Sequence, residues 1–562
     1  MSRQQWWPVA TAISLAIVAG GAHADERESL EALRQTTLGL IEALVDKGVL
    51  TREVADGMLK QSQQKAAQVA AAAPQAKPET TAGGKPVQRI PYVSEAMRTQ
   101  LRNEVKEEVL AQARTERWGV PNALPSWTDR IKIEGDIRLR YQSDKPGKSN
   151  TSPDDYLVSE GANDGFTRAA DFGAYSPTYF YSTASTQEER TRERLRLRLG
   201  VSAKVADEVG VGVRLATGSS TDRVSTNQTM GQGFNKYQLF VDRAFVRLDP
   251  AEWITIQGGR IPNPWFSTEM AWSENLNFEG LATTVRFAEP QDSFVPFATA
   301  GWFPLREESP PRNGGRSLVG AQVGASWDLE SRTKLKFGLA YYHYKNMEGR
   351  SDLNYGSQGT TQVPYVNYGA YEYGSSLRQK GNTLFETNPS EIGDSIPLWG
   401  LAYQFKPLVL TASAEFTHFS PFNIMLTAEY AHNTGVSEDD FHKRATDSLY
   451  AGKDPKGRAD GYNLKVAVGA AEVREVDQWQ LMASYRHVGS DAVLDAFTDS
   501  DLGLGGTNVQ GFTLGFAYGV YRNTNLNVRY LSAKNIDTTL NSSYPDALYK
   551  VNSLQVDLNV RF

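Results

Sequence analysis

Leu554-Gln555-Val556-Asp557-Leu558-Asn559-Val560-Arg561-Phe562 ends the chain, and its reading decides the fold. Successive side chains of a strand point to opposite faces, so the even positions form an apolar row and the odd ones a polar row that Ser553 extends. A row of amide, carboxylate and guanidinium groups wants water. A transmembrane β-barrel satisfies both rows, with the apolar one toward lipid and the polar one toward a wet lumen. It also demands that every strand be paired, because hydrocarbon tolerates no open edge. A single two-faced strand would serve a soluble sheet equally well, so the rest of the chain has to arbitrate.

The opposite end carries Arg3, an apolar stretch from Val9 to Gly21, and Ala22-His23-Ala24 before Asp25-Glu26, which is the layout of a cleavable export signal over residues 1–24. Beyond it no continuous apolar run reaches the ~18 residues that a spanning helix needs. Alternating strands average to a modest hydropathy, so a barrel is still admitted. The absence of cysteine excludes disulfides, zinc–thiolate clusters and thiol nucleophiles. A net charge of −6 lacks the basic bias of a nucleic-acid binder.

Residues 25–66 have a helical period, with Leu30, Leu33, Thr37, Leu40 and Leu44 forming a short heptad seam. Lys47-Gly48 stops that helix and Thr51 caps the next. Residues 67–93, rich in Ala and Pro, read as a linker, and 94–118 as a further helix with Met97, Leu101, Val105 and Val109 on one stripe. These segments are expected to form a periplasmic helical extension that oligomerises or tethers, or else a helix packed on the barrel rim.

From residue 128 to 562 the period is two. Ile131, Ile133, Ile137, Leu139 and Tyr141 alternate with Lys132, Glu134, Asp136, Arg138 and Arg140, and Leu195, Leu197, Leu199 and Val201 alternate with Arg194, Arg196 and Arg198. Further runs recur to the end of the chain, most of them about the 9–11 residues that a tilted strand needs to cross a bilayer. Phe294 to Phe303 alternates poorly, and Pro397 to His418 is long enough for one strand or two. Tight turns such as Asp249-Pro250-Ala251-Glu252 and Glu289-Pro290-Gln291-Asp292 alternate with long connections such as Gln142 to Arg190 and Asn346 to Ile396. Short turns on one side and long loops on the other predict an all-β, antiparallel transmembrane barrel of about sixteen strands with both ends on the periplasmic side. A barrel of that size encloses an aqueous channel.

In this register Arg138, Arg140, Arg194, Arg196, Arg198, Arg214, Arg243 and Arg247 point into the lumen from the first four strands. Guanidinium groups stay charged at any relevant pH and suit carboxylate and phosphate. The third long loop, Ile261 to Glu279, would bring Glu269 and Glu274 opposite part of that wall, and the transverse field would favour charged or dipolar solutes. Alternatively, the arginines pair with lumen or loop carboxylates and only stiffen the wall. The acidic clusters Asp154-Asp155, Glu438-Asp439-Asp440 and Asp491, Asp495, Asp499 with Asp501 are candidates for calcium or for bridging to lipopolysaccharide. They lack the Gly and terminal Glu of an EF-hand loop, so neither a metal site nor a cofactor is expected. No enzyme is expected either, since His343, His418, His432, His442 and His487 fall in no recognisable nucleophile motif.

Pro125-Ser126-Trp127-Thr128-Asp129-Arg130-Ile131 through Gly135-Asp136-Ile137-Arg138-Leu139-Arg140-Tyr141 resembles the bacterial putative porin family. So do Leu44-Val45-Asp46-Lys47-Gly48-Val49-Leu50-Thr51 and Gly505-Gly506-Thr507 before Gly511-Phe512, and the resemblance spans nearly all of the mature chain. The terminal Phe562 is similar to the assembly signal that the barrel assembly machinery reads in outer-membrane proteins. The resemblance implies an outer-membrane pore for small hydrophilic solutes, with lipid and lipopolysaccharide around it, and supplies no substrate. Similarity to sixteen-strand porins and the heptad seam together suggest a homotrimer. The competing readings are an outer-membrane anchor whose helices bind peptidoglycan or a partner, and an adhesin that uses the acidic loops.

Overall fold

The computed structural model describes residues 130–151, 166–167, 186–289, 291–309, 315–329, 332–352, 369–374, 376–388, 398–419, 421–538 and 548–562. The expected signal, helices and linker of residues 1–118 and the Asp154-Asp155 pair lie outside these.

Sixteen antiparallel strands form one closed barrel. They are β1 (Ile131–Pro146), β2 (Arg190–Lys204), β3 (Val209–Ala216), β4 (Phe240–Ala251), β5 (Ile254–Pro262), β6 (Asn277–Arg286), β7 (Phe294–Arg306) and β8 (Arg316–Leu329). There follow β9 (Thr333–Lys345), β10 (Pro407–Phe416), β11 (Asn423–Asn433), β12 (Asp460–Gly469), β13 (Trp479–Val488), β14 (Val509–Tyr521), β15 (Thr524–Asn535) and β16 (Lys550–Arg561). Each pairs with its neighbour in sequence, and β16 pairs with β1 from Asp136↔Arg561 to Pro146↔Val551, so no strand edge is left open. The region 397–418 therefore crosses once, as β10, while Trp399–Leu401 joins Leu384–Glu386 and Phe166–Thr167 in a small separate sheet. The weakly alternating Phe294 to Phe303 lies within β7, paired on both sides.

The two rows of the last strand are sorted inside out relative to a soluble protein. Gln555 and Asp557 are 0% and 2% exposed, whereas Leu554 and Leu558 are 39% and 38% exposed. The same exposed apolar row runs through Leu139, Phe337, Leu339, Tyr341, Leu410, Leu464, Phe512 and Leu514. In water such a belt would be an aggregation surface; in lipid it is the solvent-matched face. Phe562 completes the seam by exchanging backbone hydrogen bonds with Gly135, 2.9 Å and 3.0 Å long. Its ring lies where a side chain on Gly135 would sit, 2.6 Å from that Cβ position, so only glycine accommodates it. Short turns occupy one end of the barrel and eight long connections the other, the third being 263–276.

Candidate pore interior

Arg138 and Arg140 of β1, Arg194, Arg196 and Arg198 of β2, Arg214 of β3, and Arg243 and Arg247 of β4 share the interior face. Most of them meet carboxylates. Arg140 makes a two-pronged contact with Asp557, Nε to Oδ1 at 2.6 Å and Nη2 to Oδ2 at 2.8 Å, and its Nη1 is 3.2 Å from Asp501. Arg138 lies 4.0 Å from Asp557 and donates to Asn227. Arg196 and Arg198 both donate to Asp136, at 2.9 Å and 2.5 Å. Arg214 bonds Asp242 at 2.6 Å and Arg247 bonds Asp249 at 2.7 Å. Arg194 and Arg243 differ: they donate to the neutral amides of Gln142 at 3.2 Å and Asn277 at 2.7 Å.

The partners are legible in part. Asp136, Asp144 and Asp557 have the same parity as the arginines on their strands, so periodicity alone points them inward. Asp242 does not, since it sits next to the inward-pointing Arg243. A bulge between β3 and β4, where Arg214 faces Arg243 but Leu215 faces Val241, turns it to the same side. Arg192, which bonds Asp144, and Arg529, which bonds Asp501, were not singled out by the sequence reading.

The third loop, 263–276, lies inside the barrel because its polar and apolar groups both find partners on the interior face. Glu429 of β11 accepts from Thr268 N at 2.6 Å, Thr268 Oγ1 at 2.7 Å and Ala271 N at 3.3 Å, and also from Thr411 Oγ1 at 2.8 Å. Gln322 of β8 bonds both backbone groups of Phe266. Trp265 and Trp272 pack edge-on against Tyr342 at centroid distances of 5.2 Å and 5.1 Å. Burying indole and phenol rings between loop and wall removes large apolar areas from water, which is what fixes the loop's course. Glu269 reaches Arg486 of β13 at 3.4 Å, on the wall away from β1–β4, while Glu274 is exposed and close enough for its charge to act on Arg196 of β2.

The acidic loop residues are engaged by protein groups. Asp491 accepts from Thr383 N and Oγ1, Asp495 from Gln379 N and Tyr373, Asp499 faces Arg486, and Asp501 binds Arg140 and Arg529. Glu438-Asp439-Asp440 opens helix α1 (Glu438–Arg444) behind the N-cap Ser437, a position where carboxylates oppose the helix dipole. Burial and the adjacent Asp501 charge push Asp499 up to about 6, against the pull of Arg486. Its partner Asp501 lies well below the usual carboxylate range: burial works against ionisation, but Arg529 and Arg140 outweigh it. Between the ordinary value of 3.8 and about 6 the folded protein binds more protons at Asp499 than the unfolded chain does, so stability falls as pH rises through that window. The unfolding midpoint in detergent is therefore expected to drop between about pH 4 and about pH 6.5, bounds set around that window. Asp499→Asn should flatten the drop, and an identical slope in the variant would refute the assignment.

A closed sixteen-strand barrel with an apolar exterior and a charged interior defines a porin-class channel of the outer membrane. The chain belongs to the putative porin family, whose model matches residues 34–562. Among solved structures it is similar to the outer-membrane channel DcaP of Acinetobacter baumannii, at 12% identity and a TM-score of 0.37, covering 77% of this chain and 97% of that one. It is also similar to OprB of Pseudomonas putida, at 10% identity and a TM-score of 0.41, covering 77% and 95%. For the trimer form of OmpT of Vibrio cholerae the values are 10%, 0.38, 77% and 100%. The barrel's own pairing and the family match, and not these likenesses, carry the assignment. A comparison with curated protein sequences finds no match.

Proposed function

We propose that the barrel passes small hydrophilic solutes by passive diffusion, with a preference for anions, through an eyelet between loop 263–276 and the arginine-bearing wall. The observation that carries this reading is that two guanidinium groups of the wall keep their charge without an ion pair. On the interior face Asp136, Asp501 and Asp557 each serve two arginines, and Arg194 and Arg243 have no ion pair among the described residues. Fixed positive charge at a narrow aqueous passage raises the local anion concentration and repels cations. Size sets the cut-off. The heptad seam at Leu30 to Leu44 supports a homotrimer, the apolar belt supports contact with lipid and lipopolysaccharide, and Phe562 on Gly135 is the handle offered to the barrel assembly machinery.

Planar-bilayer recording of the purified protein tests the reading. Large, stable conductance steps are expected, with a reversal potential in asymmetric salt that indicates anion preference. Arg194→Gln with Arg243→Gln removes these two charges without breaking an ion pair among the described residues, and should move the reversal potential toward cations. A barrel that conducts little would favour the anchor reading instead, and unchanged selectivity in the double variant would remove the arginine wall as its source.

A further inference from the structure

Away from the arginine wall the interior carries two cations of another kind. Arg286 of β6 and Lys336 of β9 belong to adjacent rows of the interior face, Arg286↔Phe297↔Gly324 and Lys336↔Ser326↔Val295. Neither forms an ion pair among the described residues, and each feels the other's charge. Both border a cavity of about 390 Å³ between the wall and the loop segment Asn263–Ser267. Its wall presents the hydroxyls of Thr284, Thr299 and Ser326 beside the rings of Phe266 and Phe297. The Lys336 ammonium stands 4.4 Å from the Phe266 ring centroid and 5.5 Å from that of Phe297.

Asp249, the carboxylate that feels Arg286, is already bonded to Arg247 and Thr255. Two like charges that border one recess without an ion pair among the described residues repel each other, and an anion placed between them relieves that repulsion. Arginine supplies a planar fork for a carboxylate and lysine a compact charge beside it. The aromatic rings supply an apolar surface on which the body of a ligand gains by leaving water. The volume suits a small molecule, at the lower end of the range for ligand pockets. We propose that this recess is a binding site for small carboxylates with a flat apolar body, separate from the arginine wall and occupied during passage. The proposal deepens the pore reading and rests on it.

Benzoate is the probe, with neutral benzamide as its isostere, measured by titration calorimetry on the full-length protein in detergent. Wild type is expected to bind benzoate and to bind benzamide roughly tenfold more weakly. Arg286→Gln with Lys336→Gln should lose roughly tenfold in benzoate affinity, while Arg286→Lys with Lys336→Arg keeps most of it. Ser326→Phe fills the recess without removing either charge and should abolish binding, which keeps the test available if the charge variant does not fold. Benzoate affinity equal in wild type and the Gln double variant, or no benzoate binding by wild type, overturns the site. Bilayer recording on the same samples separates the two readings: conductance without benzoate binding rejects the site and leaves the pore, and benzoate binding without conductance rejects the pore.

Discussion

Asp557→Ala is expected to destabilise the barrel by about 3 kcal/mol, because removing one partner of a buried ion pair leaves the other charge uncompensated. Asp557 is 2% exposed and Arg140 3%, and the pair stands directly across the seam where the last strand meets the first. Loss of the carboxylate strips Arg140 of a two-pronged contact and Arg138 of its nearest anion, leaving Asp501 to serve them. Thermal unfolding in detergent, followed by circular dichroism, should show a clear drop in midpoint. Asp557→Asn retains one acceptor for Arg140 and should fall between the two. A midpoint unmoved by Asp557→Ala would mean that backbone pairing alone holds the seam.

Glu429→Ala is expected to loosen loop 263–276 while the barrel stays closed. The carboxylate takes three hydrogen bonds from the loop, two of them from backbone amides. Each buried donor left without its acceptor costs about 1–3 kcal/mol, and the costs are not additive, so a loss of about 3 kcal/mol in loop anchoring is expected. That corresponds to roughly a hundredfold faster amide exchange in the loop peptide. Hydrogen–deuterium exchange read by mass spectrometry checks it directly, and single-channel current should become noisier. Unaltered protection of Thr268 and Ala271 would assign the anchoring to Trp265 and Trp272 instead.

The barrel was legible because its cause is local. Lipid on one side and water on the other impose a period of two on every strand, so Leu139 and Arg140, or Leu558 and Asp557, declare their faces without reference to any neighbour. The strand count followed from turn spacing, and the one ambiguous stretch resolved into β10 plus the short strand Trp399–Leu401, which pairs with residues of the same long connection. The interior chemistry was less legible. Reading faces placed the arginines, but not their partners: Asp501 comes from a connection whose course depends on Tyr373, Asn382 and Gln379 of another loop. Asp242 is turned inward by a bulge, which depends on how β3 and β4 register.

By itself, then, the sequence determined that this chain is a membrane barrel, roughly how many times it crosses, and which strand face carries charge, because side-chain alternation is a property of each strand alone. Tertiary structure decided which charges are cancelled and which remain. Glu269, read as a counter-charge to the arginine wall, sits against Arg486, while Arg286 and Lys336, inconspicuous in their strands, form no ion pair among the described residues and stand beside the third loop. Coulomb energies depend on separation and on the surrounding dielectric, and neither exists until loops fold into the lumen and bring residues hundreds of positions apart to within a few ångströms.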